Sequence, residues 1–417
     1  MLVRAGLNIH SKEIHMEKGH NFVQEGRKAN LLKEDISLPA AVIFSDLLER
    51  NLAWMQTFCD KRNVRFAPHA KTTMSPYIFT RQREMGAWGL TLATPIQIYN
   101  AYQTGAKNLL MANQLVGQAN MRIISQLLSD EDVQFCCVVD SIDNVKQLAD
   151  FFSAADQQID VLIELGTEGG RCGCRSDEQV QQLVTEISKH HAVRLKGIEF
   201  YEGVIKGENP VNEVSRFIER AVDTTLLLLH QSAFDTDEVF LTGAGSAWYD
   251  VVADIISHAI LPDNIFPVLR PGCYITHDEG IYQQAQDKVI ERDDIAGSVP
   301  GQLLNCLEVW AYICSVPEPG KIIVNIGKRD IAFDAGYPKP IRHYRNQVGQ
   351  KTEMFKWQVT GIMDQHLMID IPTNSNVLPG DIVAFSQSHP CLTMDKWRQI
   401  HLVDYSFNLL DTIKTKF

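Results

Sequence analysis

From Pro39 to about Tyr274 the chain alternates short β-branched runs with amphipathic stretches of helical length, and this rhythm constrains the fold more than any other feature. The runs are Ala40 to Phe44, Val64 to Ala67, Trp88 to Ala93, Asn108 to Ala112, Val133 to Val139, Asp160 to Leu165, Val193 to Tyr201, Val239 to Thr242 and Phe266 to Leu269. Between the first two, Ser45 to Lys61 sets Leu47, Leu48, Leu52, Met55 and Phe58 at turn spacing, which predicts a helix. Strands joined by helical crossovers make a parallel sheet, and eight such units close a β/α barrel. There are nine runs, so Ala40 to Phe44 is assigned to another domain and Val64 opens the barrel.

After Tyr274 the rhythm changes and helices nearly vanish. Strand candidates follow one another at Leu303 to Ser315, Lys321 to Asn325, Phe355 to Ile362, His366 to Ile371 and Ile382 to Phe385, separated by proline and glycine turns. The expected organisation is α/β. Residues 1–44 form an arm and a strand that join the β domain, 45–272 form the barrel, and 273–417 form a β-rich domain. Residues 1–38 are polar and read as an arm over a neighbouring subunit or domain.

A chain of 417 residues supports two or three domains. Its net charge of −12 leaves no electrostatic footprint for nucleic acid or an anionic membrane. The first thirty residues lack an apolar signal region, and no run approaches the ~20 apolar residues that a bilayer demands. A cytoplasmic protein is expected, without nucleic-acid or membrane partners. Nine cysteines without small-scaffold spacing read as reduced thiols, with Cys136 and Cys137 in the core.

Lys71 follows the first barrel strand, in Pro68-His69-Ala70-Lys71-Thr72, where parallel α/β folds place their chemistry. The loop after the seventh barrel strand reads Thr242-Gly243-Ala244-Gly245-Ser246, and that after the eighth reads Arg270-Pro271-Gly272-Cys273-Tyr274. Small residues in those two loops let backbone N–H groups close around a phosphate. A lysine and a phosphate cup are what pyridoxal 5′-phosphate needs, an amine for its aldehyde and a dock for its anion. Arg171 stands among four glycines in the loop after the fifth strand, within reach of a cofactor oxygen. Cys172 and Cys174 lack the second pair that a structural zinc site requires. Near the C-terminus, His389 and Cys391 are spaced to grip one zinc ion from extended chain, leaving coordination positions open for substrate.

These motifs, with His389-Pro390-Cys391-x-Thr393-x-Asp395-Lys396-Trp397-Arg398 above all, resemble the D-serine dehydratase and D-threonine aldolase family of fold-type III pyridoxal phosphate enzymes, relatives of alanine racemase. Within it the chain is most similar to the bacterial D-serine deaminase branch, through Trp88 to Pro95, Ala112 to Gly117 and Gly327-Lys328-Arg329-Asp330. The resemblance implies that Lys71 carries the cofactor as a Schiff base and takes the α-proton. It implies Arg171 beside the pyridoxal 3-oxygen, Tyr201 near the pyridine ring, and Gly245, Ser246, Gly272 and Cys273 around the phosphate. His69 and Tyr274 join the cofactor-binding set, and His389 and Cys391 bind zinc. Met74 and Cys391 depart from the aldolase pattern, which has lysine and a carboxylate there, and weigh against aldol cleavage.

The expected activity is a pyridoxal phosphate and zinc dependent ammonia-lyase acting on a β-hydroxy D-amino acid, D-serine first. D-threonine aldol cleavage, racemisation and a non-catalytic cofactor carrier are the alternatives. The resemblance also implies a homodimer with sites at the subunit boundary, although one chain could fold to join Lys71 to His389 and Cys391. Lys328 and Arg329 are candidates to neutralise the extra carboxylate of a substrate such as 3-hydroxyaspartate.

Overall fold

The computed structural model describes residues 16–23, 27–207 and 210–417. Nine strands alternate with helices through its first two thirds. They are β1 (Ala40–Phe44), β2 (Arg65–Phe66), β3 (Leu90–Leu92), β4 (Asn108–Gln114), β5 (Gln134–Val139), β6 (Ile159–Leu165), β7 (Val193–Phe200), β8 (Val239–Gly243) and β9 (Ile265–Leu269). Helix α1 (Ser45–Lys61) precedes β2, and α2 (Pro76–Glu84), α3 (Pro95–Tyr102), α4 (Gln118–Leu127), α5 (Ile142–Ala154), α6 (Asp177–Ile187), α7 (Pro210–His230) and α8 (Tyr249–His258) are the crossovers.

Strands β2 to β9 form one eight-stranded parallel sheet in the order β2-β9-β8-β7-β6-β5-β4-β3. Its ends meet where Trp88 donates its backbone N–H to the Phe66 carbonyl at 2.8 Å and Thr91 donates to that of Pro68 at 3.0 Å, so the sheet closes as a barrel. Strand β1 lies outside it, as the count of nine runs required. Alternation along each strand sorts side chains between the barrel lumen and the helical shell. Cys136 packs inside the barrel with Leu110, Leu162 and Phe240, while Cys137 faces the helices. Both are buried, as their apolar run suggested. Helix starts follow side-chain capping. Ser176 and Gln179 form a reciprocal capping box on α6, and Thr94 caps α3 just before Pro95.

Past β9 the chain forms two helices before the β-rich part, α9 (Ile281–Arg292) and α10 (Asp294–Ser298), where the sequence rhythm suggested that helices vanish. The reason is visible in α9, of which only Gln286 and Val289 are buried, too few to write an apolar stripe. Its start is secured by the Asp278 carboxylate, which accepts N–H bonds from Gly280, Tyr282 and Gln283.

Strands β10 (Leu307–Glu318), β11 (Lys321–Val324), β12 (Lys339–Arg345), β13 (Val348–Gly349), β14 (Gln358–Ile362), β15 (Leu367–Asp370), β16 (Ile382–Ser386), β17 (Gln399–Val403) and β18 (Leu409–Lys414) follow. One path runs β13-β12-β16-β10-β1-β17-β18, with β1 antiparallel to β10 and parallel to β17. The long β10 also pairs with β11, and β11 and β14 flank β15. The described part of the N-terminal lead-in packs on this sheet of its own chain. Lys18 pairs with Asp330, and Asn30 bonds Asn408. Residues 1–15 and 24–26 of the expected arm lie outside the described residues.

Candidate active site

The largest concentration of candidate residues surrounds a cavity of about 570 Å³ at the C-terminal ends of the barrel strands, roofed by the segment that follows β16. Lys71, Arg171, Tyr201, Gly245 and Cys273 line it from the barrel, and His389 and Cys391 from the β-rich part. One chain therefore brings together two motifs that stand 318 positions apart.

Lys71 sits in a short 3₁₀ turn, Ala70–Thr72, directly after β2. Among the described residues its ammonium makes no hydrogen bond or ion pair. Burial lowers its pKa, opposed by the nearby Cys391 sulfur and helped by the Arg171 cation. An unpaired lysine biased toward the free amine suits condensation with an aldehyde. His69 lines the same wall, and burial together with the Lys71 and Arg270 cations keeps its imidazole neutral. Its Nδ1 is buried without a partner, as is Nε of Arg270, whose Nη2 is held by Glu199 and by the Phe200 carbonyl. Buried polar atoms are normally paired, so two orphans on one cavity wall mark a place for a polar ligand.

Arg171 lies with its guanidinium 4.8 Å from the centre of the Tyr201 ring and 4.0 Å from the Glu164 carboxylate. Burial and the neighbouring Glu199 carboxylate raise the pKa of Glu164 to about 7. Glu164, Asp140 and Cys172 form a close cluster of ligand-type atoms behind Arg171, which sequence spacing did not point to.

The two small-residue loops meet as expected, but their donors are distributed differently. The Ser246 hydroxyl accepts the N–H groups of Gly272 at 3.1 Å and Cys273 at 3.0 Å. The N–H groups of Ala244 and Gly245 are taken by the carboxylate of Glu202, at 3.2 and 2.6 Å. Ala244 has φ of +77°, the left-handed backbone that turns successive amides toward one anion. Gly245 thus offers room rather than a free amide: a Cβ there would lie 2.9 Å from the Tyr201 ring. At Gly272 a Cβ would lie 2.6 Å from the His69 carbonyl oxygen and 2.7 Å from Thr72 Oγ1. The orphaned donors, the unpaired amine and this cradle of small residues fit pyridoxal phosphate.

Tyr274 does not join them. Its ring packs edge-on against Phe66 and its hydroxyl accepts from Gln82 in the core, because the 3₁₀ turn Cys273–Ile275 points successive side chains in different directions. Met74 is likewise fully buried in the core.

His389 is on extended chain as expected, but Cys391 is not. Pro390, with its φ fixed near the helical value, starts a one-turn helix, α11 (Pro390–Met394), directly after an extended His389. Both side chains still face the cavity. His389 Nδ1 donates to Asp334 at 2.7 Å, which orients the ring and leaves Nε2 for a metal, as carboxylate-bound metal-site histidines do. Hydrogen bonding to Cys391 and to Asp334 raises the His389 pKa to about 9. Hydrogen bonds from Cys273 and His389 hold the pKa of the Cys391 thiol well below its usual value. A soft sulfur ligand and an imidazole side by side fit a zinc-type cation. The rest of the motif is anchoring: Thr393 Oγ1 accepts the Ala332 N–H, and Trp397 Nε1 donates to the Asp330 carbonyl. Lys328 and Arg329 lie elsewhere, beside Phe333 and Asp364, and do not line the cavity.

Sequence reasoning missed Thr72, Asp334, Glu202 and Tyr282. Thr72 and Glu202 adjoin residues already singled out, which was the available signal. Asp334 carries none. Tyr282 reaches the cavity from α9, the unforeseen helix.

Comparison with known proteins finds two family matches along the chain. Residues 43–231 match the alanine racemase N-terminal domain, and residues 306–403 match the serine dehydratase domain. A D-threonine aldolase from Arthrobacter sp. is 26% identical over 306 residues, 73% of this chain and 75% of that protein. A D-threo-3-hydroxyaspartate dehydratase from Delftia sp. is 31% identical over 170 residues, 40% of this chain and 44% of that protein. The crystal structure of D-threonine aldolase from Filomicrobium marinum superposes with a TM-score of 0.75 at 22% identity, covering 94% of this chain and 98% of that one.

Proposed function

We propose that this chain, in which a stretch matching the alanine racemase N-terminal domain precedes one matching the serine dehydratase domain, is a fold-type III pyridoxal phosphate and zinc dependent ammonia-lyase that converts a β-hydroxy D-amino acid, D-serine first, to the 2-oxo acid and ammonia. The observation that carries the reading is the single cavity lined by Lys71 on one side and by His389 and Cys391 on the other.

Pyridoxal phosphate would be held by Lys71, Arg171, Tyr201, Ser246, Gly272 and Cys273, and supplies an electron sink for charge developing at the substrate α-carbon. A divalent cation, zinc in this reading, would be held by His389 and Cys391 and supplies Lewis-acid activation of a hydroxyl leaving group. The Lys71 amine, free of competing hydrogen bonds, takes the α-proton at Nζ. Neutral His69 packs beside it without adding a second cation. Arg171, steadied by Tyr201 and Glu164, offers a cation on the far wall. Asp334 keeps the His389 ring oriented toward the cavity. The extension of the aldolase relative over most of this chain favours aldol cleavage as the second reading. Lys328 and Arg329, the pair expected to meet a carboxylated β-substituent, lie away from the cavity wall, which favours an uncharged substrate side chain.

The test is product analysis. Purified protein supplied with pyridoxal phosphate and zinc is incubated with D-serine, D-threonine and D-threo-3-hydroxyaspartate. Equal amounts of 2-oxo acid and ammonia, greatest from D-serine, support the reading. Glycine and an aldehyde from D-threonine would replace it with aldol cleavage, and release of the L-enantiomer alone would replace it with racemisation.

A further inference from the structure

Cys273 and Cys391 belong to different parts of the fold, one to the loop after β9 and the other to the first turn of α11, yet their sulfurs are 3.7 Å apart. Among the described residues this is the only sulfur–sulfur contact in hydrogen-bonding range. We propose that these two cysteines form a reversible disulfide when no metal occupies Cys391, and that this bond staples the β-rich part to the barrel across the cavity. The proposal rests on the reading of Cys391 as a metal ligand only for the protective effect of the metal.

Three observations support it. First, the sulfurs are already in contact, and a disulfide needs them to close from 3.7 Å to about 2.05 Å. Second, the alternative that Cys273 is a third ligand beside His389 is disfavoured. Those three ligand atoms are absent from the described clusters whose members all lie within 4.8 Å of one another, whereas Asp140, Glu164 and Cys172 satisfy that spacing. Cys273 is therefore a neighbour of the metal position without being built into it. Third, the two thiols differ in access. Cys391 is half-buried at the cavity, and Cys273 is 6% exposed. The accessible sulfur meets the oxidant and the buried one resolves the product, the usual division of labour in thiol oxidation.

With a hydroperoxide as oxidant the chemistry balances. The Cys391 sulfur attacks one oxygen of hydrogen peroxide, the O–O bond breaks, and water leaves with the thiol proton, giving a sulfenic acid. Cys273 then attacks that sulfur, the S–O bond breaks, and a second water carries off the hydroxyl and the Cys273 proton. Two thiols have lost two electrons and two protons, and one peroxide has become two waters. A thiol reductant reverses the bond. The consequence is specific: the disulfide removes the sulfur ligand of the metal and draws the Gly272-Cys273 loop toward the roof of the cavity.

The experiment uses the full chain with pyridoxal phosphate, either stripped by a chelator or loaded with zinc. Each sample is exposed to hydrogen peroxide, its free thiols are alkylated, and peptides are mapped by mass spectrometry. In the stripped sample a peptide pair linked through Cys273 and Cys391 is expected, with alkylatable thiols falling from nine by two and returning after reduction. Cys273→Ser abolishes the linked pair and leaves Cys391 over-oxidised. Over-oxidation of Cys391 beside a free Cys273 in the unsubstituted stripped protein would overturn the disulfide. In the zinc-loaded sample loss of the linked pair is expected. An equal yield with and without zinc would overturn metal protection, and with it the assignment of Cys391 as a ligand, while leaving the disulfide standing.

Discussion

Cys391 Sγ stands 3.4 Å from Thr72 Oγ1, although 319 positions separate the two residues. Thr72 is the immediate neighbour of Lys71, so this contact sets the distance between the amine at the end of the first barrel strand and the pair formed by His389 and Cys391 on the roof. It also shows that Lys71 and the pair formed by His389 and Cys391 come together within one chain. The contact is built from two local events: a 3₁₀ turn that lifts Thr72 out of the barrel mouth, and a proline-started helical turn that drops Cys391 onto it.

Lys71→Ala should abolish the visible absorbance of lysine-bound pyridoxal phosphate and lower turnover by at least about 100-fold, the ordinary contribution of a positioned proton-transfer group. Spectra of the reconstituted variant check this. A retained band would move the cofactor's attachment to another lysine.

Gly272→Ala places a methyl group 2.6 Å from the His69 carbonyl oxygen, which is backbone and cannot swing aside. Cofactor affinity should fall and the protein should lose about 1–3 kcal/mol of stability, the usual cost of overpacking a filled site. Equilibrium titration with pyridoxal phosphate and a denaturant melt measure the two effects. Neutral behaviour in both would show that the loops after β2 and β9 are free to separate.

Glu164 gives a pH dependence of definite sign. Burial, then Glu199, raises its pKa from 4.5 to about 7 in the folded chain. Between those values the folded protein keeps a proton that the unfolded chain has released, so stability falls as pH rises through this window. The buried Glu308, also raised to about 7 by burial, adds a slope of the same direction. Thermal midpoints across the window should decline toward neutral pH, and Glu164→Gln should flatten the decline. An unchanged slope in that variant would assign the effect to Glu308.

Lys328→Ala and Arg329→Ala should leave the ratio of turnover on D-serine to that on D-threo-3-hydroxyaspartate unchanged. Arg329 spends its charge on an exposed pair with Asp364, 3.3 Å away, and neither side chain lines the cavity. Such exposed pairs contribute about 0–1 kcal/mol, so stability should barely move. A collapse of hydroxyaspartate turnover would bring these cations into the site.

The barrel was legible because its strands are buried on both faces, which writes them as β-branched runs such as Val161 to Leu165. The motif residues were legible because small and ionisable residues cluster at strand ends, where little else explains them. What escaped has physical causes. Strand β12 carries Lys339, Pro340, Arg342 and Arg345 and buries only His343, and α9 buries only Gln286 and Val289. Neither prints a periodic apolar pattern. Tyr274 was drawn into the site by adjacency to Cys273, and only the turn geometry separates them. Asp334, which orients His389 from 55 positions away, has no local signature at all.

The most direct test of the account follows pyruvate from D-serine with the zinc-loaded protein, the same protein after chelation, and the chelated protein resupplied with zinc, while the visible spectrum reports the bound cofactor. Pyruvate formation that stops on chelation and returns with zinc, at constant cofactor absorbance, is the predicted result. Undiminished pyruvate formation after complete removal of metal would contradict it, because the cavity would then work without the pair formed by His389 and Cys391.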